Sequence, residues 1–474
     1  MEGITVNDIV KATGGRLLCG DGNTPVRHFS IDSRTGSPDS IFVPIIGERV
    51  DAHRFIEDAM KINGACFTSE HDSAEDSKPW IRVENTVRAM QQLGTYYRNR
   101  MDMPVVAVTG SVGKTTTRQM IATVLGSCKR IYQTKGNQNS QIGVPLTLAE
   151  MSADDEAAVL EIGMSERGQI RSLTTMIRPD YAVVTNIGVS HIAQLGSREN
   201  ICLEKMDIVE GLTDRGTVVL NGDDPYLKAY RGKLPYKTFF YGLGEDCDFR
   251  AADIRTNGIM TEFTLIYKEN GEEIRLPVTL GMLGKHNVLN SLAGLCIARQ
   301  MGLPMDKAAA SLKDFTGIRL KIHRLKSCTL IDDSYNASPD SLKASVSVLA
   351  DFEGTGGRKI AGISDMLELG ENEKQYHFDT GVYIGQQAID EVAAFGSLSK
   401  ETLAGIRSVN PDMKVTELAD REAFDDYLIA TIRPDDVLLL KASNGMGLMH
   451  TARKMIDMDA EAEQKTGEKH AADL

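Results

Sequence analysis

The chain has 474 residues, is 42% hydrophobic and 25% charged, and carries a formal net charge of −13. This is the composition of a globular protein with ample core, and its acidity argues against a nucleic-acid binder built on a broad basic face. Its seven cysteines are odd in number and include no Cys-x-x-Cys pair, which argues against a disulfide frame or a zinc site and for reduced thiols.

The first thirty residues hold no apolar run fit for a signal peptide, and no segment approaches the length of a membrane span. A cytoplasmic protein without membrane insertion is therefore expected. At about 150 residues per domain, the length predicts roughly three domains.

Residues 1–103 read as a small α/β unit. Ile4–Val10 begins a helix, Ile41-Phe42-Val43-Pro44 is a strand, and Arg54–Ile62 is amphipathic. Ala65-Cys66-Phe67 is another strand, and Thr86–Tyr97 is a helix. Ile31-Asp32-Ser33-Arg34 lies between apolar segments, where a loop can present hydroxyl and guanidinium groups to an anion or simply form a solvated turn.

Residues 104–315 alternate strand and helix patterns, which predicts a doubly wound, mostly parallel sheet. Val105-Val106-Ala107-Val108 reads as a buried parallel strand. Gly110-Ser111-Val112-Gly113-Lys114-Thr115-Thr116 follows at the start of a helix, and that order makes a phosphate cradle. Lys114 supplies positive charge for the β/γ-phosphates and the Thr115 hydroxyl suits Mg²⁺. Val108 stands where the usual pattern has its first glycine, so the loop is a shortened variant.

Further strands are predicted at Ala157–Glu161, Tyr181–Thr185 and Thr217–Leu220. Ligands of such sheets gather at the carboxyl ends of strands. Thr115, Glu161 and His191 all fall there, and a hydroxyl, a carboxylate and an imidazole together could hold a divalent metal beside phosphates. The polar turn Gly136-Asn137-Gln138-Asn139-Ser140 could face the same cleft. If Arg198–Leu212 is a helix, Ile201, Lys205, Ile208, Val209 and Leu212 share one stripe. A lysine there must snorkel, find an anion or change its charge.

From 238 to 280 polar and apolar residues alternate, with Glu269-Asn270-Gly271-Glu272 as a hairpin turn, which predicts an antiparallel insertion. A small-residue helix follows Leu283-Gly284-Lys285-His286-Asn287 through Ala298. A further α/β domain over 316–456 has strands predicted at Thr329–Ile331, Lys359–Ile363, Val392–Phe395 and Val437–Leu440. The polar tail over 457–474 is expected to be disordered.

The blocks TGSVGKTTT, GNQNSQIGVPLTL, EIGMSERGQI, TNIGVSHIAQLGS, GKHNVLNSLA, TGIRLKI, IDDSYNASPDSL, DMLELG and LKASNGMG come in the order found in the ATP-dependent Mur ligases of cell-wall precursor synthesis. The chain resembles that family over nearly its whole length, most of all the branch that adds D-alanyl-D-alanine. The resemblance implies an N-terminal UDP-precursor domain, a central P-loop ATPase domain and a C-terminal Rossmann-like domain for the dipeptide. The implied activity joins D-Ala-D-Ala to UDP-N-acetylmuramoyl-tripeptide through an acyl phosphate, with ATP and two Mg²⁺ ions, in a monomer.

By the same resemblance Ser33, Arg34, Asn137 and Asn139 would meet the UDP precursor, and Lys114 and Thr115 would hold ATP and Mg²⁺. Glu161 and His191 match further metal ligands. Lys205 matches a lysine carbamylated by carbon dioxide, which turns a buried cation into a metal-binding anion. Asn287 would sit near adenine, Arg319 at the terminal phosphate and Asp333 at the ribose. Asn336, Ala337 and Ser338 match the dipeptide segment. Ser140, Ser338 and Ser364 depart from the family's Asn, Asn and Gly at those positions, two of them near expected substrate contacts.

A neighbouring diamino-acid-adding or folylpolyglutamate-type ligase is one alternative, but His191 is followed by Ile-Ala-Gln rather than opening an Asp-His-Leu-Asp run. A P-loop switch protein is another, although the chain has no Asn-Lys-x-Asp block of guanine-specific members.

Overall fold

The structure, a computed structural model, describes residues 1–353 and 356–472, with side chains through 461. Its strands form three sheets, which correspond in order to the three units expected.

The N-terminal sheet holds β1 (Arg16–Cys19), β2 (His28–Ser30), β3 (Ser40–Phe42), β4 (Ala65–Thr68) and β5 (Trp80–Arg82) in the order β1-β5-β4-β3-β2. Only β1 runs antiparallel. The first helix, Val6–Thr13, starts where Thr5 and Asp8 form a reciprocal capping box and ends at Gly14, whose φ of 67° suits glycine. The last helix of this unit, Thr86–Arg98, is capped by Asn85. It fastens the unit to its neighbour: Tyr97 Oη donates to Met151 O at 2.9 Å and Arg98 Nε to Ile177 O at 2.8 Å.

The central sheet holds β6 (Val105–Thr109), β7 (Ile131–Gln133), β8 (Ala157–Glu161), β9 (Tyr181–Val184), β10 (Thr217–Asn221), β11 (Lys237–Gly242), β12 (Phe249–Asn257), β13 (Met260–Glu269) and β14 (Glu272–Leu280). Their order is β14-β13-β12-β11-β10-β9-β6-β8-β7. β6 lies between β8 and β9, so the chain leaves it toward β8 and β7 on one side and β9 and β10 on the other, which opens a crevice at its carboxyl end.

The antiparallel stretch is not a separate insertion. β12 joins the parallel sheet through two residue pairs with β11, and β13 and β14 extend it. Asn270 and Gly271, with φ of 51° and 88°, make the tight turn between β13 and β14. The helix Lys285–Gln300 is buried almost all round and packs on the helix Lys114–Gly126. A Cβ on Gly294 would lie 3.4 Å from Ile121 Cα, so the small residue sets how close the two helices come.

The C-terminal sheet holds β15 (Lys321–Arg324), β16 (Thr329–Asp332), β17 (Lys359–Ile363), β18 (Glu391–Phe395), β19 (Lys414–Leu418) and β20 (Val437–Lys441) in the order β15-β16-β20-β17-β18-β19, with β15 alone antiparallel. The last helix runs from Leu448 to Ala472, through the polar stretch expected to be disordered. Good helix formers and an Arg453–Asp457 pair at i, i+4 favour that continuation. Among the described residues no helix is long and apolar enough to cross a membrane.

Candidate active site

The loop after β6 is shaped by close approach. A Cβ on Gly110 (φ 150°) would fall 1.8 Å from Thr185 Oγ1, so only glycine fits there. Gly113 (φ 85°) begins the helix Lys114–Gly126, and no side chain caps that end. Its first N–H groups, with the helix dipole behind them, can therefore receive an anion.

The segment after β9 clamps the loop. Val112 N donates to Asn186 Oδ1 at 2.9 Å, and Asn186 Nδ2 returns a bond to Val112 O at 2.9 Å. Thr185 Oγ1 also donates to Val112 O, at 2.6 Å, and Gly188 N to Ser111 Oγ at 2.8 Å. On the other side Thr117 Oγ1 donates to Asn290 Oδ1 at 3.0 Å. Thr185, Asn186 and Asn290, which hold the loop and its helix in place, were not singled out from the sequence. Their signal was position, at the end of a strand and on a helix packed against the cradle.

Cations and one carboxylate converge on this edge. Lys114 Nζ donates to Gly110 O at 2.9 Å; burial lowers its pKa while nearby Glu161 opposes the shift. Glu161, at the end of β8, accepts from Asn139 Nδ2 at 2.8 Å on one oxygen. Its other oxygen lies 3.6 Å from Arg118 Nε, both side chains being 3% exposed, and neither atom has a hydrogen-bond partner. Burial also lowers the Arg319 pKa, against the attraction of Asp333 and Glu161, and the guanidinium lies 3.6 Å over the Tyr335 ring.

Lys205 does not snorkel. It is 1% exposed, and burial together with Lys114 pushes its pKa well below the ordinary lysine value. The adjacent Glu204 is committed elsewhere, accepting from Gly168 N at 2.8 Å and Ile170 N at 3.0 Å at the start of the helix Gln169–Ile177. His191, with φ of 63°, is pushed down to about 4 by burial and then by Lys205 and Lys114, so its imidazole is neutral at pH 7. Lys114 is thus close enough to Glu161, His191 and Lys205 for their charges to act on one another.

The C-terminal unit supplies the facing wall. Lys441 pairs with Asp333 and donates to Asn336 O at 3.0 Å. Ser443 Oγ donates to Ala337 O at 3.2 Å. Ser338 caps the helix Pro339–Ala350. Across the cleft, Asp340 Oδ2 fills the space a Cβ on Gly188 would enter, 2.3 Å away from that position.

Residues 108–298 match the family described as Mur ligase middle domain, and residues 318–444 the one described as Mur ligase, glutamate ligase domain. A UDP-N-acetylmuramoyl-tripeptide–D-alanyl-D-alanine ligase of Bacillus subtilis is 35% identical over 459 residues, covering 96% of this chain and 98% of its own. The chain belongs to the Mur ligase family. A ligase of the same name from Escherichia coli is 29% identical, covering 96% of this chain and 99% of its own. MurF from Acinetobacter baumannii shares the fold with a TM-score of 0.86 at 25% identity, covering 96% of this chain and 98% of that one. A MurF ligase from Thermotoga maritima in complex with ADP gives 0.81 at 27% identity, covering 92% and 99%.

In this Mur ligase the donor set fits a hard divalent cation. The free, buried Glu161 oxygen, the Thr115 hydroxyl and a neutral imidazole are suitable donors, and Lys205 could join them only as an anion. A second cluster, Asp51, His53 and Glu70, has the spacing of a metal site but not the chemistry. Both ring nitrogens of His53 are already bonded, Nδ1 to Asp51 Oδ1 at 2.7 Å and Nε2 to the Ser69 N–H at 3.1 Å.

Other expected contacts of this Mur ligase are placed less directly. Ser33 and Arg34 follow β2, and Arg34, 84% exposed, pairs with Asp32 at 2.7 Å. Asn137 is exposed, whereas Asn139 is tied to Glu161. Asn287 is buried and donates to Leu283 O at 2.8 Å while accepting from Asn290. The three departing serines all bond the backbone: Ser140 Oγ accepts from Gly143 N, Ser338 Oγ from Ser341 N, and Ser364 Oγ donates to Phe395 O.

Proposed function

We propose that the chain is an ATP-dependent amide ligase that joins D-alanyl-D-alanine to UDP-N-acetylmuramoyl-tripeptide in peptidoglycan precursor synthesis. The observation that carries the reading is the uncapped helix start after β6, where Lys114 is close enough to Glu161, His191 and buried Lys205 to act on their charge. Its match over nearly full length to relatives bearing that ligase name supports the same substrates. A cytoplasmic, monomeric enzyme is part of the proposal.

A carboxylate resists attack by an amine because it is anionic and has no leaving group. Transfer of the ATP γ-phosphoryl group to the tripeptide's terminal carboxylate gives an acyl phosphate and ADP. The loop N–H groups, Lys114 and Arg319 position the phosphates and neutralise charge that builds on them, and Asn287 and Asp333 are proposed to hold the adenosine. Mg²⁺ held by Thr115, Glu161, His191 and modified Lys205 supplies Lewis-acid stabilisation of phosphate oxygens when bound. The dipeptide amine, presented by Asn336, Ala337 and Ser338, attacks the acyl carbon; phosphate leaves and the amide forms. Ser33, Arg34, Asn137 and Asn139 are proposed for the UDP precursor.

Lys205 is proposed to act as its carbamate. Burial favours the neutral amine, whose nitrogen lone pair attacks carbon dioxide to form an N–C bond. A proton leaves to solvent, and the product is an anion near Lys114.

The test is a matrix of UDP precursors and acceptors scored for ATP-dependent product mass and phosphate release. Release that needs both UDP-tripeptide and a D,D-dipeptide is expected. Hydrolysis that proceeds without either would mark a switch ATPase instead.

A further inference from the structure

Two non-glycine residues in the left-handed region face each other across the cleft. His191 and Glu368 both have φ of 63°, and His191 Nδ1 lies 3.8 Å from Glu368 Oε2. Such backbone conformations cost energy and persist where the surroundings impose them. Here they aim an imidazole from the central unit and a carboxylate from the C-terminal unit at one another. The separation is about one ångström beyond a hydrogen bond, within what a small closing motion removes.

The loop that carries Glu368 is tied to both sides of the reaction. Gly370 packs so that a Cβ there would lie 3.1 Å from Ala193 Cα, two residues after His191. Leu367 N donates to Ser443 Oγ at 2.9 Å, and that hydroxyl donates to Ala337 O at 3.2 Å. One chain of bonds therefore runs from the proposed acceptor segment to Glu368, and Glu368 reaches toward His191.

We infer that Glu368 is a positioning residue for His191: when the C-terminal unit closes, its carboxylate accepts the Nδ1–H and leaves Nε2 as the metal-binding nitrogen. A carboxylate behind a ligating histidine fixes its tautomer and ring orientation. Because the carboxylate comes from the unit proposed to bind the dipeptide, acceptor binding strengthens metal binding, and by linkage metal binding strengthens acceptor binding. The inference rests on the metal-site reading above.

The experiment measures free Mn²⁺ by electron paramagnetic resonance in titrations of the full chain with ADP, with and without D-Ala-D-Ala. In the wild type the dipeptide is expected to tighten Mn²⁺ binding. Glu368→Ala should weaken Mn²⁺ by about tenfold and abolish the dipeptide effect. Glu368→Gln should fall between, because its amide oxygen still accepts from Nδ1–H. Glu368 is 66% exposed, so an unchanged melting temperature is expected for both variants. ¹⁵N spectra of labelled histidine should show the His191 Nδ1–H tautomer depleted in Glu368→Ala. Wild-type Mn²⁺ affinity in Glu368→Ala alongside weakened binding in His191→Ala overturns the inference alone. Unchanged Mn²⁺ binding in His191→Ala overturns it together with the metal-site reading.

Discussion

Arg118 Nε and Glu161 Oε2 lie 3.6 Å apart, buried and without any hydrogen bond, one helical turn beyond Lys114. The guanidinium is the carboxylate's counter-charge but does not occupy its second oxygen, which leaves that oxygen open to a cation. Removing one partner of a buried pair costs about 3 kcal/mol or more. Arg118→Met should therefore melt early in the absence of ligand and recover part of the loss with Mg²⁺ and ADP, which bring a replacement positive charge. Equal losses with and without Mg²⁺ in calorimetry would show that Glu161 does not meet the metal.

Lys205 makes the opposite prediction for stability and activity. With its folded pKa depressed, the unfolded chain holds a proton that the folded chain does not, up to the ordinary lysine pKa. Stability in carbon-dioxide-free buffer should then rise with pH up to about 10, by up to about 1.4 kcal/mol per pH unit. Lys205→Met should lack that component of the slope and be at least as stable at pH 7, while Lys205→Ala should lose most ligation without unfolding. Near-normal turnover of Lys205→Ala without added carbon dioxide or short carboxylic acids would remove the carbamate from the mechanism.

The parts of the site legible in the sequence were those with local signatures. The glycines and Lys114 announce the cradle within a few residues, and Glu161 ends an all-apolar strand. Lys205 shows itself by interrupting an apolar stripe, although the helix holding it stops at Met206 and continues as a 3₁₀ turn to Gly211. Partners joined only by folding were not legible: Arg118 with Glu161, Asn290 with Thr117, Glu368 with His191. Short strands such as β2, β7 and β15 were missed because three or four mixed residues carry no period. The continuity of β12 with β11 was missed because just two residue pairs make it.

Acid should weaken the fold through its neutral histidines. His191 and His286 are both pushed from 6.5 down to about 4, chiefly by burial. Between those values the unfolded chain binds protons the folded chain refuses, so stability is full above about pH 6.5 and is lost as pH falls toward 4. His191→Asn keeps a residue that tolerates positive φ and should flatten the loss by about one proton's worth of slope. Denaturant titrations at several pH values between those limits check this, and parallel wild-type and variant curves would contradict it.

Gly188→Ala tests the docking of the two units at a position outside the proposed ligand set. The new Cβ would meet Asp340 Oδ2 at 2.3 Å and Ser111 Cβ at 3.2 Å. Burial raises the Asp340 carboxyl pKa and the Val189 N–H donates to it, so swinging it away should cost about 1 kcal/mol of stability. The swing breaks the fit between the acceptor unit and the nucleotide loop, so KM for the dipeptide should rise several-fold. Asp340→Ala removes the obstacle, and in a double-mutant cycle the two changes should couple by about 1 kcal/mol in kcat/KM. Strict additivity would mean that Gly188 and Asp340 act independently, and that the first turn of the helix Pro339–Ala350 does not hold the closed arrangement.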